Sequence, residues 1–253
     1  MNIFFREQGE GTPILLIHGF CETHEIWDGF DKKLSNYGRV ISIDLPGFGN
    51  SPLPTEPVAI DLIADILLSW LKENKIEEPA LVGHSLGGYV VLAMAERDPE
   101  LCKKIVLFHS SVFADSEEKK ANRDKIVDFV TKNGVAPFIQ TFVPSLFYNK
   151  QNTQIDRVKS ISSQTQIKTL IEYTKAMRDR PSREEFFKRY PYQTFIIAGE
   201  KDEIIQLETS EKMASMSLKS VFLALPQTGH MGMIESESLA LDKIAWFIGV
   251  TRD

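Results

Sequence analysis

The chain has 253 residues, of which 43% are hydrophobic and 25% are charged, and its formal net charge is −6. This composition fits one large globular domain, or one domain with an inserted subdomain. The negative charge argues against a nucleic-acid or anionic-membrane surface, and no segment approaches 18 uninterrupted apolar residues, so no membrane span is predicted. Cys21 and Cys102 are too few for a disulfide framework. The N-terminal "MNIFFREQGEGTP" lacks a signal-peptide pattern, so we expect a cytoplasmic protein.

Short apolar runs with little polar alternation predict six strands, as is typical of a parallel sheet covered on both faces. In chain order these runs lie in "TPILLIHGF", "RVISIDLPGFG", "PALVGHS", "KKIVLFHSS", "QTFIIAGEKD" and "SVFLALPQTGH". Helical patterns separate several of them, at 58–73, 86–97 and about 236–249. The alternation predicts an α/β fold with a mostly parallel central sheet flanked by helices.

The connection between the fourth and fifth predicted strands, residues 110–193, is unusually long. An ordinary strand–helix–strand unit takes about 30 residues in all. The excess predicts helices at 116–132, 135–148, 153–178 and 182–189. We therefore expect residues 1–113 and 191–253 to form the core, and residues 114–190 to form a helical cap inserted late in the sheet.

The densest apolar stripe of this cap lies in "VAPFIQTFVPSLFY", at 135–148. Phe138 and Phe142 on this stripe are predicted to line a substrate pocket. The alternative is that these rings form the core of the cap itself, since apolar residues at helical spacing usually pack inside. Pro144 interrupts the helical pattern and favours a bend and a hinge, which predicts a mobile lid.

One serine stands in a cluster of glycines between a predicted strand and a predicted helix. Gly83-His84-Ser85-Leu86-Gly87 fits G-x-S-x-G, in which a Cβ on either flanking glycine would collide with the neighbouring strand and helix. The pentapeptide alone also fits an ordinary glycine-rich turn. Its position between strand and helix predicts that Ser85 is a nucleophile.

A serine nucleophile needs a base that takes its proton and an acid that orients the base. His230 lies in "LPQTGHMGMIESES", after the last strand, in a loop that reaches the same sheet edge as Ser85. Asp202 follows the preceding strand, and serine, aspartate, histidine is the order expected on this fold. Glu200 and Glu203 remain alternatives for the acid.

Two backbone amides are predicted to stabilise the developing oxyanion, those of Leu86 after the nucleophile and of Phe20 in the loop "IHGF". His18 is expected to hold this loop by hydrogen bonds. His109 follows a strand, and we assign it to substrate binding. His18 and His24 lack partners at metal-ligand spacing, so neither a metal nor a cofactor is predicted.

Five segments occur in order over nearly the whole chain outside the long connection: "LLIHGF", "DLPGFGNS", "LVGHSLGG", "FIIAGEKD" and "TGHMGMIE". In this combination the sequence resembles the serine-nucleophile, esterase-like branch of the α/β-hydrolase superfamily. The resemblance implies Ser85 as nucleophile, Asp202 as acid and His230 as base. It excludes the dehalogenase and epoxide-hydrolase branches, which the family builds on aspartate at this position.

The leading hypothesis is a serine hydrolase that cleaves a small to medium carboxylic ester with an apolar part, through an acyl-enzyme on Ser85. The resemblance also allows a carbon–carbon bond hydrolase, or the menaquinone-pathway lyase that eliminates pyruvate. Arginines of the cap would suit the carboxylates of the lyase substrate: Arg123, Arg157, Arg178, Arg180 and Arg183. A third hypothesis is a small-molecule receptor with little turnover. We expect a small-molecule substrate and a monomer or homodimer.

Overall fold

Seven strands form one sheet in this computed structural model, which describes residues 1–249. The strands are β1 (Phe5–Gln8), β2 (Pro13–Ile17), β3 (Arg39–Ile43), β4 (Ala80–His84), β5 (Lys104–Phe108), β6 (Thr194–Gly199) and β7 (Ser220–Leu225). Their order across the sheet is β1-β3-β2-β4-β5-β6-β7. β1 runs antiparallel to β3 and the remaining pairs are parallel, so the predicted α/β sheet is confirmed.

Helices flank this sheet and fill the connections between its strands. A 3-10 helix at His24–Trp27 is followed by α1 (Phe30–Leu34), α2 (Ile60–Glu73), α3 (Leu86–Arg97), α4 (Glu117–Asn133), α5 (Val135–Ser145), α6 (Ile155–Ser162), α7 (Ile167–Asp179), α8 (Glu184–Arg189), α9 (Leu207–Ser215), α10 (Gly232–Glu235) and α11 (Glu237–Phe247). Helix α3 packs on β4 and β5, and α9 packs on β6 and β7. Within residues 1–249, none of the helices combines the length and apolar content that a membrane span requires.

Several elements differ from the sequence prediction. β1 reads "FREQ" and lies at an exposed edge of the sheet, so it has no apolar run to mark it and is held mainly by its pairing with β3. The single helix predicted at 153–178 is two helices, α6 and α7, separated by a turn at residues 163–166. Ser163 and Thr165 in this turn are weaker helix formers, because the serine hydroxyl competes for backbone hydrogen bonds and the branched threonine loses side-chain freedom in a helix. The sequence analysis did not predict α1, α9, α10 or the 3-10 helix.

The register of the parallel strands brings several loops to one edge of the sheet. Ile17 of β2 lies beside Gly83 of β4, and Leu107 of β5 lies beside both Gly83 and Ile196 of β6. The loops that follow these strands therefore leave the sheet together, at its carboxyl edge. In open α/β sheets that edge carries the ligand site.

Helices α4–α8, here called the insert (residues 117–189), all lie between β5 and β6. The Tyr173 hydroxyl donates to the Pro46 carbonyl (2.7 Å), and the Thr169 hydroxyl donates to the Gly47 carbonyl (2.9 Å). Both acceptors belong to the loop after β3. These bonds fix α7 of the insert against this loop, while the division into core and cap stays a prediction.

Arg180, just after α7, is the centre of a second connection between the insert and the rest of the fold. Its buried guanidinium donates to the Asp115 carboxylate (2.8 Å) and to the carbonyls of Phe113 (2.9 Å) and Met177 (2.6 Å). It also lies 3.9 Å from the centre of the Tyr89 ring on α3, a cation–π contact. The buried charge is thereby paired and hydrogen-bonded, as burial requires.

Arg180→Met should lower the free energy of unfolding by about 3 kcal/mol, because it removes one partner of the buried Asp115 carboxylate. Arg178→Met is the matched control. Arg178 also pairs with two aspartates, Asp124 and Asp179, but both partners are largely exposed. The control should change stability by less than about 1 kcal/mol. Denaturant unfolding of both variants checks this, and equal losses would contradict the assignment of Arg180 as a buried anchor.

Candidate active site

Ser85 occupies a tight turn between β4 and α3 at the carboxyl edge of the sheet. Its backbone has φ 49° and ψ −110°, a conformation that residues other than glycine rarely adopt. The Ser85 N–H donates to the Phe108 carbonyl (2.9 Å), and the Ser110 hydroxyl donates to the Ser85 carbonyl (2.8 Å). The surrounding structure therefore holds the serine in a strained turn, as expected of a nucleophile elbow.

The flanking glycines are required for steric reasons. A Cβ added to Gly83 would lie 2.6 Å from the Gly88 nitrogen, and one added to Gly87 would lie 2.8 Å from the His18 carbonyl oxygen. Both distances are too short for carbon beside backbone atoms. The close approach of helix α3 to β2 and β4 thus depends on these two positions, as the motif predicts.

His230 and Asp202 lie together at the same edge of the sheet. The His230 Nδ1 is 2.7 Å from Asp202 Oδ2, and both side chains are buried. The other carboxylate oxygen, Oδ1, accepts the N–H groups of Ile204 (2.8 Å) and Ile205 (3.0 Å). Since an ionised carboxylate only accepts hydrogen bonds, Nδ1 of His230 carries a proton and Nε2 is left as the basic nitrogen.

The structure distinguishes among the acids that the sequence leaves open. Glu200 and Glu203 are exposed, and Glu203 faces Lys150 at 3.7 Å, whereas Asp202 contacts His230. Burial alone raises the pKa of Asp202. The charge of His230 and the hydrogen bonds that the carboxylate accepts outweigh burial and hold this pKa well below its usual range.

The two amides predicted for an oxyanion hole belong to the residue after the serine and to the loop after β2. Leu86 is the first residue of α3, so its N–H has no acceptor within the helix. Phe20, in the loop after β2, lines the same cleft as Ser85 and His230. The role of these amides stays a prediction.

The insert supplies one wall of this cleft. The rings of Phe138 and Phe142 on α5 are stacked, with centroids 5.0 Å apart and an angle of 15°. Both meet the Phe20 ring edge to face, at 6.4 Å and 6.0 Å. Further apolar side chains of the insert that face the cleft are Ile126, Leu146 and Met177. Ser85 therefore opens onto a cleft that is aromatic on its insert side.

Residues 12–237 match the family model described as the alpha/beta hydrolase fold. The chain belongs to this family. A curated relative, 2-hydroxymuconate semialdehyde hydrolase from Pseudomonas sp. (strain CF600), is 28% identical over 90% of this chain and 84% of its own length. The structure of a thermophilic esterase from Thermogutta terrifontis superposes with a TM-score of 0.91 at 25% identity, over 97% of this chain and 92% of that one. MenH from S. aureus shares the fold, with a TM-score of 0.88 at 22% identity and 97% of each chain covered. The protein is accordingly an enzyme.

His109 of this hydrolase does not lie where the sequence places it. The side chain is fully buried behind Asp202, with Nδ1 3.0 Å from the Oδ2 atom of that carboxylate. The prediction that His109 binds substrate is therefore wrong. The chain turns at this residue with φ 53°, which directs the ring toward the acid and not into the cleft.

His109, Asp202 and His230 form a group whose possible ligand atoms lie within 4.8 Å of one another, a spacing that could hold a metal ion. The sequence shows no sign of this grouping. In the structure, the Nδ1 atoms of His109 and His230 both face one oxygen of Asp202, and the Gly232 N–H lies 3.2 Å from Nε2 of His109. These contacts have the lengths of hydrogen bonds, so the residues fit a network that shares protons.

Glu22 is a buried residue of the site that the sequence analysis missed. Its Oε2 accepts the Gly19 N–H (2.6 Å) and faces His84 Nδ1 (3.0 Å), while His84 Nε2 lies 2.9 Å from the His230 carbonyl oxygen. A carbonyl only accepts, so His84 Nε2 carries a proton. One carboxylate thus connects the oxyanion loop, the residue before the nucleophile and the loop of the base. Its position after "HGFC" is the only signal in the sequence.

Glu22 and His84 stabilise each other's charged forms. Burial raises the pKa of Glu22, but the charge of His84 and its hydrogen bond outweigh burial and leave this pKa below the usual value. Burial lowers the pKa of His84, but the charge of Glu22 and the bonds to Glu22 and His230 leave this pKa raised. The two side chains therefore form a buried ion pair.

Glu22→Gln should destabilise the enzyme in a pH-dependent manner. The lowered pKa of Glu22 gives stability that is present above the ordinary value of 4.5 and is lost as the pH falls through the folded-state pKa. The raised pKa of His84 gives stability that is present below 6.5 and is lost as the pH rises through the folded-state pKa. The loss in the variant should therefore be largest between these values, about 3 kcal/mol.

Denaturant unfolding of wild type and Glu22→Gln from pH 4 to 9 measures this window. Glu25→Gln is the control, because Glu25 lies three positions further along, in the 3-10 helix, and is only half-buried. Its effect should stay below about 1 kcal/mol with no maximum in this range. If the loss of unfolding free energy in Glu22→Gln also shows no maximum between pH 4 and 9, Glu22 and His84 are not an ion pair.

Proposed function

We propose that this α/β hydrolase cleaves small to medium carboxylic esters with an apolar part, through an acyl-enzyme on Ser85. One observation carries the proposal: His230, whose Nδ1 is 2.7 Å from the Asp202 carboxylate, lines the same cleft as Ser85. A base oriented by a buried acid, next to a serine in a strained turn, is the arrangement that activates a hydroxyl for acyl transfer.

Ser85 Oγ attacks the ester carbonyl carbon while Nε2 of His230 takes the hydroxyl proton. The bond from the carbonyl carbon to the alcohol oxygen then breaks, and His230 gives the proton to the leaving alcohol. Water attacks the acyl-enzyme in the same way, which releases the acid and restores Ser85. Asp202 keeps the proton of the neutral imidazole on Nδ1 and stabilises the charged imidazole that forms in each step.

The negative oxygen of the tetrahedral intermediate would be stabilised by the N–H groups of Leu86 and Phe20. Leu86 begins α3, so the positive end of the helix dipole also lies at this position. One such donor contributes about 10²–10³ in rate in serine enzymes. Gly19, next to Phe20, is fixed by its bond to Glu22, which supports the geometry of this loop.

The shape of the cleft favours an apolar acyl or alcohol group. Phe20, Phe138 and Phe142 form an aromatic wall, and burying one such ring against substrate contributes about 2 kcal/mol. The relative from Thermogutta terrifontis is described as an esterase, which agrees with this substrate class. In the proposal, the insert covers the bound ester and opens to release the products.

A fluorophosphonate probe should label the enzyme once, at Ser85, and Ser85→Ala should remove both the adduct and the hydrolysis of p-nitrophenyl butyrate. Asp202→Asn should fold normally but lose about 10³–10⁴ in kcat, because it favours the wrong tautomer of His230. Glu203→Gln, at the neighbouring exposed acid, is the control and should keep its activity. An adduct at another residue would contradict the assignment of Ser85 as nucleophile. An active Asp202→Asn together with an inactive Glu203→Gln would contradict the assignment of Asp202 as acid.

Phe138→Ala and Phe142→Ala should each lower the preference for butyrate over acetate esters by about 5- to 30-fold in kcat/KM, since each ring contributes about 1–2 kcal/mol to binding the longer chain. Phe129→Ala is the matched control, because Phe129 is an exposed ring of the same insert. Its preference should match that of wild type. If folded Phe138 and Phe142 variants also keep the wild-type ratio, the rings serve only the packing of the insert.

Carbon–carbon bond hydrolysis of a substrate that carries a carboxylate is the second candidate. Arg123 lines the cleft and pairs with Asp115 through Nε (3.0 Å). Its positive charge would attract the carboxylate of such a substrate. Arg180 and Arg183 are buried in ion pairs, which excludes them from that role. The Pseudomonas relative is named as a hydrolase of 2-hydroxymuconate semialdehyde. Comparing turnover of p-nitrophenyl butyrate with that of 2-hydroxymuconate semialdehyde distinguishes the two candidates.

A further inference from the structure

Oδ2 of Asp202 faces two histidines, of which the proposed mechanism uses only one. His230 Nδ1 lies 2.7 Å from this oxygen and His109 Nδ1 lies 3.0 Å from it. The two imidazole rings are tilted by 56°, with centroids 5.5 Å apart, so each approaches the carboxylate from its own direction. His109 is fully buried and cannot contact a substrate.

The hydrogen bonds of His109 fix which nitrogen carries its proton. The Gly232 N–H lies 3.2 Å from Nε2, and an amide N–H can only donate. Nε2 is therefore the acceptor, and the proton of the neutral ring is on Nδ1, from which it is donated to Asp202. Burial lowers the pKa of His109 to about 4, although the Asp202 carboxylate opposes this, so the ring is neutral at ordinary assay pH.

The backbone at His109 is the second observation that sets this residue apart. Its φ is 53°, in the left-handed region, where residues other than glycine are uncommon and asparagine, aspartate and histidine are enriched. The His109 N–H donates to the Ile197 carbonyl (2.8 Å), and the ring stacks on Phe108 at 4.8 Å and 22°. The fold thus maintains a strained conformation that directs this ring at the catalytic acid.

We infer that His109 is a positioning residue that shares the carboxylate oxygen of Asp202 with His230. This inference rests on the proposed function, in which His230 is the base. A second N–H donor on the same oxygen draws negative charge away from the His230 hydrogen bond, so Asp202 holds the His230 imidazolium less strongly. His230 consequently stays available as a base at lower pH, and the carboxylate is fixed by four N–H groups.

The other titratable groups near this pair come from the ends of different strands. His84, the last residue of β4, has its ring centre 6.0 Å from that of His109 and 5.0 Å from that of His230. Glu22 faces the cluster through His84, with which it is paired. Substitutions at His109 leave these groups in place, so a change in the pH profile can be assigned to the lost donor.

The test compares three substitutions that differ in where a donor remains. In His109→Asn, the side-chain NH₂ lies near the position of Nδ1 and asparagine tolerates the left-handed backbone. In His109→Gln, the NH₂ lies near the position of Nε2, away from Asp202. His109→Phe keeps the ring but has no donor. His24→Phe is the matched control, since it removes another buried histidine bonded to a carboxylate, Asp44 at 2.7 Å, outside the cleft.

The readouts are the pH profiles of kcat/KM for p-nitrophenyl butyrate and of the rate of fluorophosphonate labelling. His109→Phe and His109→Gln should move the acid limb of both profiles upward by about one pH unit, because His230 then holds its proton more tightly. His109→Asn should restore most of this shift, and His24→Phe should leave the limb in place. A purely structural His109 would change stability or maximal rate with no shift of the limb.

The outcomes separate this inference from the proposed function. If wild type is neither labelled nor active on the ester, the proposed function fails. If wild type is labelled and active but the acid limbs of the His109 variants coincide with the wild-type limb, the inference alone is overturned. Should His109→Phe fail to fold, the comparison of the Asn and Gln variants decides. Failure of all three to fold would make His109 a structural residue and also overturn the inference.

Discussion

The buried carboxylate of Asp202 determines how three chain segments meet at the carboxyl edge of the sheet. An ionised carboxylate without partners would cost several kcal/mol to bury, so its position is stable only where N–H groups converge on it. Two come from the backbone of its own loop, at Ile204 and Ile205, and two from the rings of His109 and His230. Those rings belong to the loops after β5 and β7, so satisfying one charge aligns both neighbouring loops.

A parallel sheet makes such convergence possible, because the loops after neighbouring strands leave from the same edge. The sequence was sufficient to predict this much. The runs that become β2–β6 have the continuous apolar character of two-sided burial, while β7 at the edge of the sheet is apolar but half-buried. The reactive residues follow these strands closely. The position of Ser85 was predictable for a further reason: Gly83 and Gly87 are determined by close backbone contacts that no larger residue allows.

The remainder of the site depends on facts that local sequence patterns do not contain. The direction of the His109 side chain follows from the sign of one backbone angle, and a histidine after a strand is compatible with either direction. The burial of Glu22 depends on His84, which lies 62 positions further along the chain. Similarly, β1 (Phe5–Gln8) is defined by its pairing with β3 and not by its own composition. The burial of Glu22 and the pairing of β1 both arise from long-range contacts.

Phe20 combines two properties that are usually found on separate residues. Its ring lies against Phe138 and Phe142, and its backbone amide is the donor proposed for the oxyanion. A mutation that reshapes the pocket at this position therefore also moves a group required for the chemistry, so selection for a new substrate would be opposed there. The Phe138 and Phe142 rings of the insert belong to residues with no second role in the proposed chemistry. Diversification of substrate preference in descendants of this enzyme should accordingly accumulate in the insert, while Phe20 stays constant.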